Sequence, residues 1–156
     1  MPLIRSIRGD VSFQLNFLRT SFFIYDSTKN DIENWLPIYF SCTVGNETYS
    51  VSPDVNPTLN LFEIKNMITK FRKVVESKKR GEIFNLISIS TYEFYYEIEL
   101  FDPNEDDEIG FVLWIFEATR TNGKLSGFER GFRYYVSLET LETFTKEIEQ
   151  DLLEFL

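Results

Sequence analysis

The sequence has no histidine and only one cysteine in 156 residues. Without histidine, neither a Ser-His-Asp triad nor a Cys-His pair can form, and no imidazole can bind a metal. The single cysteine, Cys42, excludes an intrachain disulfide and a multi-cysteine zinc site. The chain also lacks internal repeats, low-complexity tracts and long Gly/Ser/Pro linkers. These absences predict a single domain over residues 1–156.

A long apolar run is missing as well. The densest apolar stretch, residues 109–116, covers eight residues, whereas a membrane-spanning helix needs about 20. Residues 1–8 contain neither an apolar h-region nor a small-residue cleavage site, so we expect no signal peptide and no membrane partner. One free cysteine fits a reducing compartment. We therefore expect a cytoplasmic protein in which Cys42 is a small buried hydrophobe.

Apolar and acidic side chains are abundant. Apolar residues make up 43% of the chain and aromatic residues 17%, which is enough material for a core. The net charge is −9, but residues 1–80 carry +3 and residues 81–156 carry −12. Such an acidic half attracts cationic partners and repels nucleic acid, so we expect no nucleic-acid partner. A solvated surface that promotes solubility explains the same asymmetry.

Four strands are predicted early in the chain, because short segments there are apolar or alternate apolar with polar residues. These segments are residues 11–17, 21–25, 36–44 and 47–51. The last two flank Gly45-Asn46, a two-residue link that suits a tight hairpin. Pro53 and Pro57 predict an extended connection after it.

Two amphipathic helices follow, with strands between them. The first begins after Asn60, which forms a capping box with Glu63, and ends at Gly81. The second is capped by Ser137 and carries an apolar face as far as Phe155. The order strands–helix–strands–helix predicts an α+β fold, with antiparallel sheet(s) of about seven to eight strands and two helices packed on the sheet.

The acidic residues concentrate in one strand and the loop after it. Alternation over residues 92–100 predicts an inner face with Tyr92, Phe94, Tyr96, Ile98 and Leu100, and an outer face with Glu93, Tyr95, Glu97 and Glu99. The loop over residues 102–108 adds Glu105, Asp106, Asp107 and Glu108. Residues 111–118 are apolar on both faces, which predicts a central strand, and residues 119–127 predict a polar hairpin loop.

This acidic loop only partly matches a calcium site. Asp102, Asn104 and Asp106 occupy the first, third and fifth positions of an EF-hand loop. The required glycine and the final bidentate glutamate are replaced by Asp107 and Leu113, so we expect no metal there. No phosphate-binding glycine loop occurs either, so we expect no cofactor. A carboxylate enzyme, metal-assisted or glycoside-cleaving, stays open because the spacing of the carboxylates in space is invisible in a sequence.

Several patterns are shared with one known family. They are Trp35 opening a strand, the helix around residues 61–64, the Glu/Phe-rich strand from Tyr92, and residues 131–136 followed by Leu141, Phe144, Ile148 and Leu152. Across residues 35–152 the chain resembles the immunity proteins of the WapI type, which protect bacteria from contact-delivered toxins. The resemblance implies a stoichiometric inhibitor that binds its cognate toxin and is not an enzyme.

Nucleases with basic clefts are common among the toxins of such proteins, and an acidic patch can occupy such a cleft in place of phosphates. On this reading the expected toxin contacts are Glu93, Tyr95, Glu97, Glu99, Glu105, Asp106, Asp107 and Glu108, with Tyr95 as an aromatic anchor. An interaction module or subunit for a non-toxin partner is the alternative, and a carboxylate enzyme is a second one. Nothing in the sequence specifies an oligomeric state.

Overall fold

A computed structural model describes residues 1–20 and 23–156, and within them the chain forms nine strands and three α-helices. In chain order these are β1 (Leu3–Arg5), β2 (Val11–Phe17), β3 (Trp35–Val44), β4 (Glu47–Ser50), β5 (Thr58–Asn60), α1 (Leu61–Lys79), β6 (Ile87–Ser90), β7 (Tyr96–Phe101), β8 (Glu108–Phe116), α2 (Glu117–Arg120), β9 (Glu129–Ser137) and α3 (Leu138–Leu153). Short 3-10 helices lie at Asp31–Glu33 and Pro53–Val55. The α+β class is confirmed.

The strands form two antiparallel sheets. The first sheet has the order β1-β2-β3-β4, and β5 pairs with the start of β3. The second sheet is a meander of β6, β7, β8 and β9 in sequence order. The first sheet leads into α1 and the second into α3, so the predicted order is roughly matched, with the unpredicted α2 between β8 and β9.

The element counts differ from the prediction of about seven to eight strands and two helices. β1 and β5 have three residues each, which is too short to show a period of two. The single-turn helix α2 covers residues that were predicted to end a strand (117–118) and to begin a loop (119–120). In the predicted strand over residues 21–25, Ser21 and Phe22 lie outside the described residues, and residues 23–25 are not in a strand.

Alternation decides which face of each sheet is buried. In β3, the side chains of Leu36, Ile38, Phe40 and Cys42 are buried on one face. Cys42 is a free, buried thiol, as predicted, and burial raises its pKa to about 12. The β3–β4 hairpin turns at Gly45 and Asn46, and Gly45 supplies a positive φ of 57°.

Both long helices begin where the sequence predicts. Asn60 Oδ1 accepts a hydrogen bond from the Glu63 backbone N–H at 2.9 Å, and the Glu63 carboxylate accepts from the Asn60 N–H at 2.8 Å. Ser137 Oγ accepts from the Thr140 N–H at 3.1 Å at the start of α3. The helices pack on each other through Phe71 and Phe144, whose ring centroids are 5.8 Å apart.

The two sheets meet at Tyr96, the first residue of β7. Its ring lies edge-on to Phe13 of β2 and Phe40 of β3, with centroid distances of 5.2 and 5.3 Å. All three side chains are fully buried. The inner faces of the two sheets and the apolar faces of α1 and α3 thus share one core.

Glu142 links α1 to α3 and makes the free energy of unfolding depend on pH in the acidic range. Hydrogen bonds from Lys146 (2.8 Å) and Lys79 (2.6 Å) lower its pKa to about 2. A carboxyl group whose pKa is lower in the folded than in the unfolded protein, where it is about 4.3, stabilises the fold at a pH above that value. This stabilisation is lost as the pH falls toward the pKa of the folded protein. We expect Glu142→Gln to be less stable than the parent chain at pH 7, with the difference shrinking from about pH 5 down to pH 2.

Urea unfolding at a series of pH values measures this difference. Glu147→Gln on the same helix is the matched control, since Glu147 forms no ion pair within the described residues. A difference between Glu142→Gln and the parent that persists unchanged down to pH 2 contradicts the assignment.

Candidate partner-binding surface

The second sheet has one face turned away from the core, here called the outer face. The inner positions of β7 and β8, such as Ile98 and Leu113, are fully buried. The alternate positions are exposed or half-buried, apart from Gly110, and they form the outer face. These outer residues are Glu97, Glu99 and Phe101 from β7, Glu108, Gly110, Val112, Trp114 and Phe116 from β8, and Glu129, Gly131, Arg133 and Tyr135 from β9.

Aromatic rings cover the two glycines of this face. A Cβ on Gly110 would overlap the Phe101 ring, and a Cβ on Gly131 would overlap the Trp114 ring. The Arg133 guanidinium lies over the Phe101 ring, 4.4 Å from its centroid. The glycines therefore let large rings lie flat against the sheet, as in other strands where an aromatic side chain covers a glycine.

Of the three predicted strand glutamates, two lie on the outer face and the third lies outside the strand, contrary to the prediction. Glu97 faces Trp114 in the register of β7 with β8, and Glu99 faces Val112. Glu93 is exposed in the turn before β7. Glu97 accepts a hydrogen bond from Ser88 Oγ at 2.8 Å. Within the described residues, none of these three carboxylates forms an ion pair.

The predicted loop acids lie at the β7–β8 turn, next to the end of α1. Lys78 Nζ donates to Asp102 Oδ1 at 3.1 Å and to the Glu105 carbonyl at 2.7 Å. Lys78 and Asp102 are each only 5% exposed. Burial raises the pKa of Asp102, but hydrogen bonds from Asn104, Lys78 and Phe84 outweigh burial and leave that pKa lowered.

The ion pair of Lys78 with Asp102 thus holds the loop in place, and the other carboxylates of the loop take no part in it. Glu105, Asp106 and Asp107 are exposed, and Glu108 is half-buried at the start of β8. These four side chains form no ion pair in the part of the chain that the structure describes. Phe101, the last outer residue of β7, stands between these acids and Glu99. The loop and the strand therefore present two acidic groups, separated by Phe101 and the Arg133 guanidinium that lies over its ring.

Tyr95 is not where alternation placed it. Only 6% of it is exposed, its ring packs against Phe40, and its hydroxyl accepts a long hydrogen bond from the Thr58 N–H at 3.4 Å. The prediction that Tyr95 shares an exposed face with the glutamates is wrong. The strand begins at Tyr96, and residues 91–95 form a turn in which Thr91 Oγ1 accepts from the Tyr95 N–H at 2.8 Å.

The same turn exposes Tyr92 and Phe94, which alternation assigned to the inner face. Phe94 has a φ of 53°, so the backbone reverses there and the period of two is lost. Residues 111–116 lie in β8, which pairs with β7 and β9, so the predicted central strand is confirmed, although Trp114 and Phe116 on its outer face are only half-buried. The glycines at 110 and 131 are the sequence signal that was available, since glycine inside a strand indicates a close approach.

A buried ion network ties the second sheet to the first. Glu117 is fully buried and accepts hydrogen bonds from Arg120 Nε at 2.9 Å and Nη2 at 2.7 Å. Arg130 Nε lies 3.4 Å from the same carboxylate. Arg120 Nη1 also donates to the Ser50 carbonyl at the end of β4, at 2.9 Å. The network holds α2 and β9 against the edge of the first sheet.

No group of three or more His, Cys, Asp or Glu side chains is placed to hold a metal ion in residues 1–20 and 23–156. No helix in that part of the chain is long and apolar enough to cross a membrane.

Comparison with known proteins gives one match that spans almost the whole chain. No curated protein and no solved structure shows significant similarity to it. Residues 3–156 match the immunity protein WapI-like family. A match of this length covers both sheets and all three helices. The chain belongs to the immunity protein WapI-like family, and membership of an immunity family indicates a role in toxin immunity.

Proposed function

We propose that this protein neutralises a cognate toxin by direct contact through the acidic surface of its second sheet. The observation that carries the proposal is the set of carboxylates that lack a cation partner in the described chain. They are Glu93, Glu97 and Glu99 on the strand side and Glu105, Asp106, Asp107 and Glu108 in the loop. An acidic surface of this kind attracts a basic protein partner by charge complementarity.

Electrostatics favours a nuclease domain as the toxin. A nuclease cleft is basic because it holds phosphates, and a carboxylate surface can occupy the same positions. Opposite charges also raise the rate of association, which matters when a toxin must be captured before it acts. A nuclease toxin acts on nucleic acid inside the bacterial cell, so we propose that the complex forms in the cytoplasm.

Reversing charge in the loop tests this proposal. We expect Asp106→Lys with Asp107→Lys to slow association with the toxin about tenfold at low salt and to flatten the salt dependence of the rate. The candidate toxin is the product of the adjacent upstream gene. Stopped-flow binding gives the rate, and survival of bacteria that co-express toxin and variant gives neutralisation.

Glu147→Lys with Asp151→Lys is the matched control, because it changes the net charge equally toward the end of α3, whereas the loop contacts the start of that helix. Equal rates for the two double variants would remove the loop from the binding surface. A partner that is harmless when expressed alone would favour the alternative of an interaction module. Substrate turnover by the purified chain would favour the carboxylate enzyme.

A further inference from the structure

A pocket of about 590 Å³ opens at one end of the outer face, where β8 runs into α2. Its lining includes the aromatic side chains Phe94, Trp114, Phe116 and Phe128 and the carboxylates Glu117 and Glu129. The four rings come from three separate segments: the turn before β7, the end of β8, and the loop before β9. The fold therefore brings rings together around a cavity at the surface.

Two of these rings are largely exposed to solvent. Phe94 is 64% exposed and Phe128 is 46% exposed. Phe94 has a positive φ, which costs free energy for a side chain of this size, and its ring stands edge-on to Phe116 at 5.9 Å. The exposed parts of these rings do not stabilise the fold, whereas a ligand that covers them gains binding free energy from their burial.

The charge around the pocket is negative at its rim. Glu97 lies opposite Trp114 in the register of β7 with β8, and Glu129 lies opposite Phe116 in that of β8 with β9. Neither glutamate forms an ion pair within the residues that the structure describes. Glu117, in contrast, is already neutralised by two arginines. A cation that enters the pocket therefore meets the unpaired carboxylate of Glu129 in the lining, with the negative charge of Glu97 beside Trp114.

We propose that this pocket binds an arginine side chain presented by a protein partner. Ring faces attract cations, and a planar guanidinium stacks on them better than an ammonium group does. The described residues already make five such arginine–ring contacts, among them Arg133 over Phe101 at 4.4 Å and Arg130 over Phe128 at 5.5 Å. That the partner is a toxin rests on the proposed function, whereas the chemistry of the pocket does not.

An NMR titration of the full chain with N-acetylarginine amide tests the pocket, with the citrulline analogue as an uncharged probe of the same shape. The two tryptophans give separate indole N–H signals, since Trp114 lines the pocket and Trp35 begins β3 in the other sheet. We expect the Trp114 signal to shift saturably with a Kd on the order of 10 mM, and the citrulline probe to bind about fivefold more weakly or worse. Trp35 should not respond.

Phe94→Gly removes one ring without strain, because glycine adopts a positive φ readily. We expect this variant to bind the arginine probe about threefold more weakly. Tyr92→Ser is the control: Tyr92 is an exposed ring of the same turn that does not line the pocket, so binding should not change.

The proposal is overturned by equal affinity for the two probes, by no saturable Trp114 shift up to about 50 mM, or by unchanged binding in Phe94→Gly. None of these outcomes bears on toxin neutralisation, which is measured by cell survival. The failure of the pocket and the failure of the proposed function are therefore distinguishable.

Discussion

Glu117→Gln is expected to lower the free energy of unfolding by about 3 kcal/mol or more, because the change leaves two guanidinium groups without their counter-charge. Glu117 is fully buried, and the Arg120 side chain is only 14% exposed. Arg120 remains fixed to the Ser50 carbonyl in the variant, so it cannot simply turn toward water. Arg130 is more exposed and recovers part of its hydration.

Urea unfolding with a constant m-value measures the loss. Asp31→Asn, which breaks the exposed pair of Asp31 with Lys65, is the control and should cost less than about 1 kcal/mol. Adding Arg120→Met to Glu117→Gln removes one of the two unpaired cations, and we expect it to restore part of the stability. A cost below about 1 kcal/mol for Glu117→Gln would show that the network does not hold the two sheets together.

The parts of the fold that could be predicted are those determined by neighbours in sequence. Both long helices begin at the predicted caps, because a cap depends on side chains three residues apart. The hairpin at Gly45 and Asn46 is equally local. Within the observed limits of β2, β3 and β7, alternation correctly predicts which face of each strand is buried.

The candidate surface depended on tertiary contacts and was predicted less well. Glu97 and Glu99 lie on the outer face as alternation indicated, but Tyr95 does not, because the Thr91 turn precedes the strand. The burial of Glu117 follows from Arg120 and Arg130, one of which is 13 positions away in sequence. The position of the Trp114 ring over Gly131 depends on the pairing of β8 with β9, and no local pattern shows that pairing.

Tyr96→Ala is expected to cost about 3–5 kcal/mol, because it opens a cavity where the two sheets meet. The ring is fully buried between Phe13 and Phe40, so no surface loop can move in to fill the space. Exposed Tyr92 is the control, and Tyr92→Ala should change stability by less than about 0.5 kcal/mol. Thermal and urea unfolding both measure the difference.

Tyr96→Phe separates the ring of this residue from its hydroxyl. The Tyr96 hydroxyl is buried and has no hydrogen-bond partner in the described residues, and burial raises its pKa. A buried hydroxyl without a partner costs about 1–3 kcal/mol, so its removal should leave stability unchanged or increase it. Tyr134 has the same kind of hydroxyl, and we expect Tyr134→Phe to behave alike. A loss of stability above about 1 kcal/mol in Tyr96→Phe would mean that the hydroxyl is hydrogen-bonded in solution. A large loss that is confined to Tyr96→Ala would show that packing of the ring stabilises the junction of the two sheets.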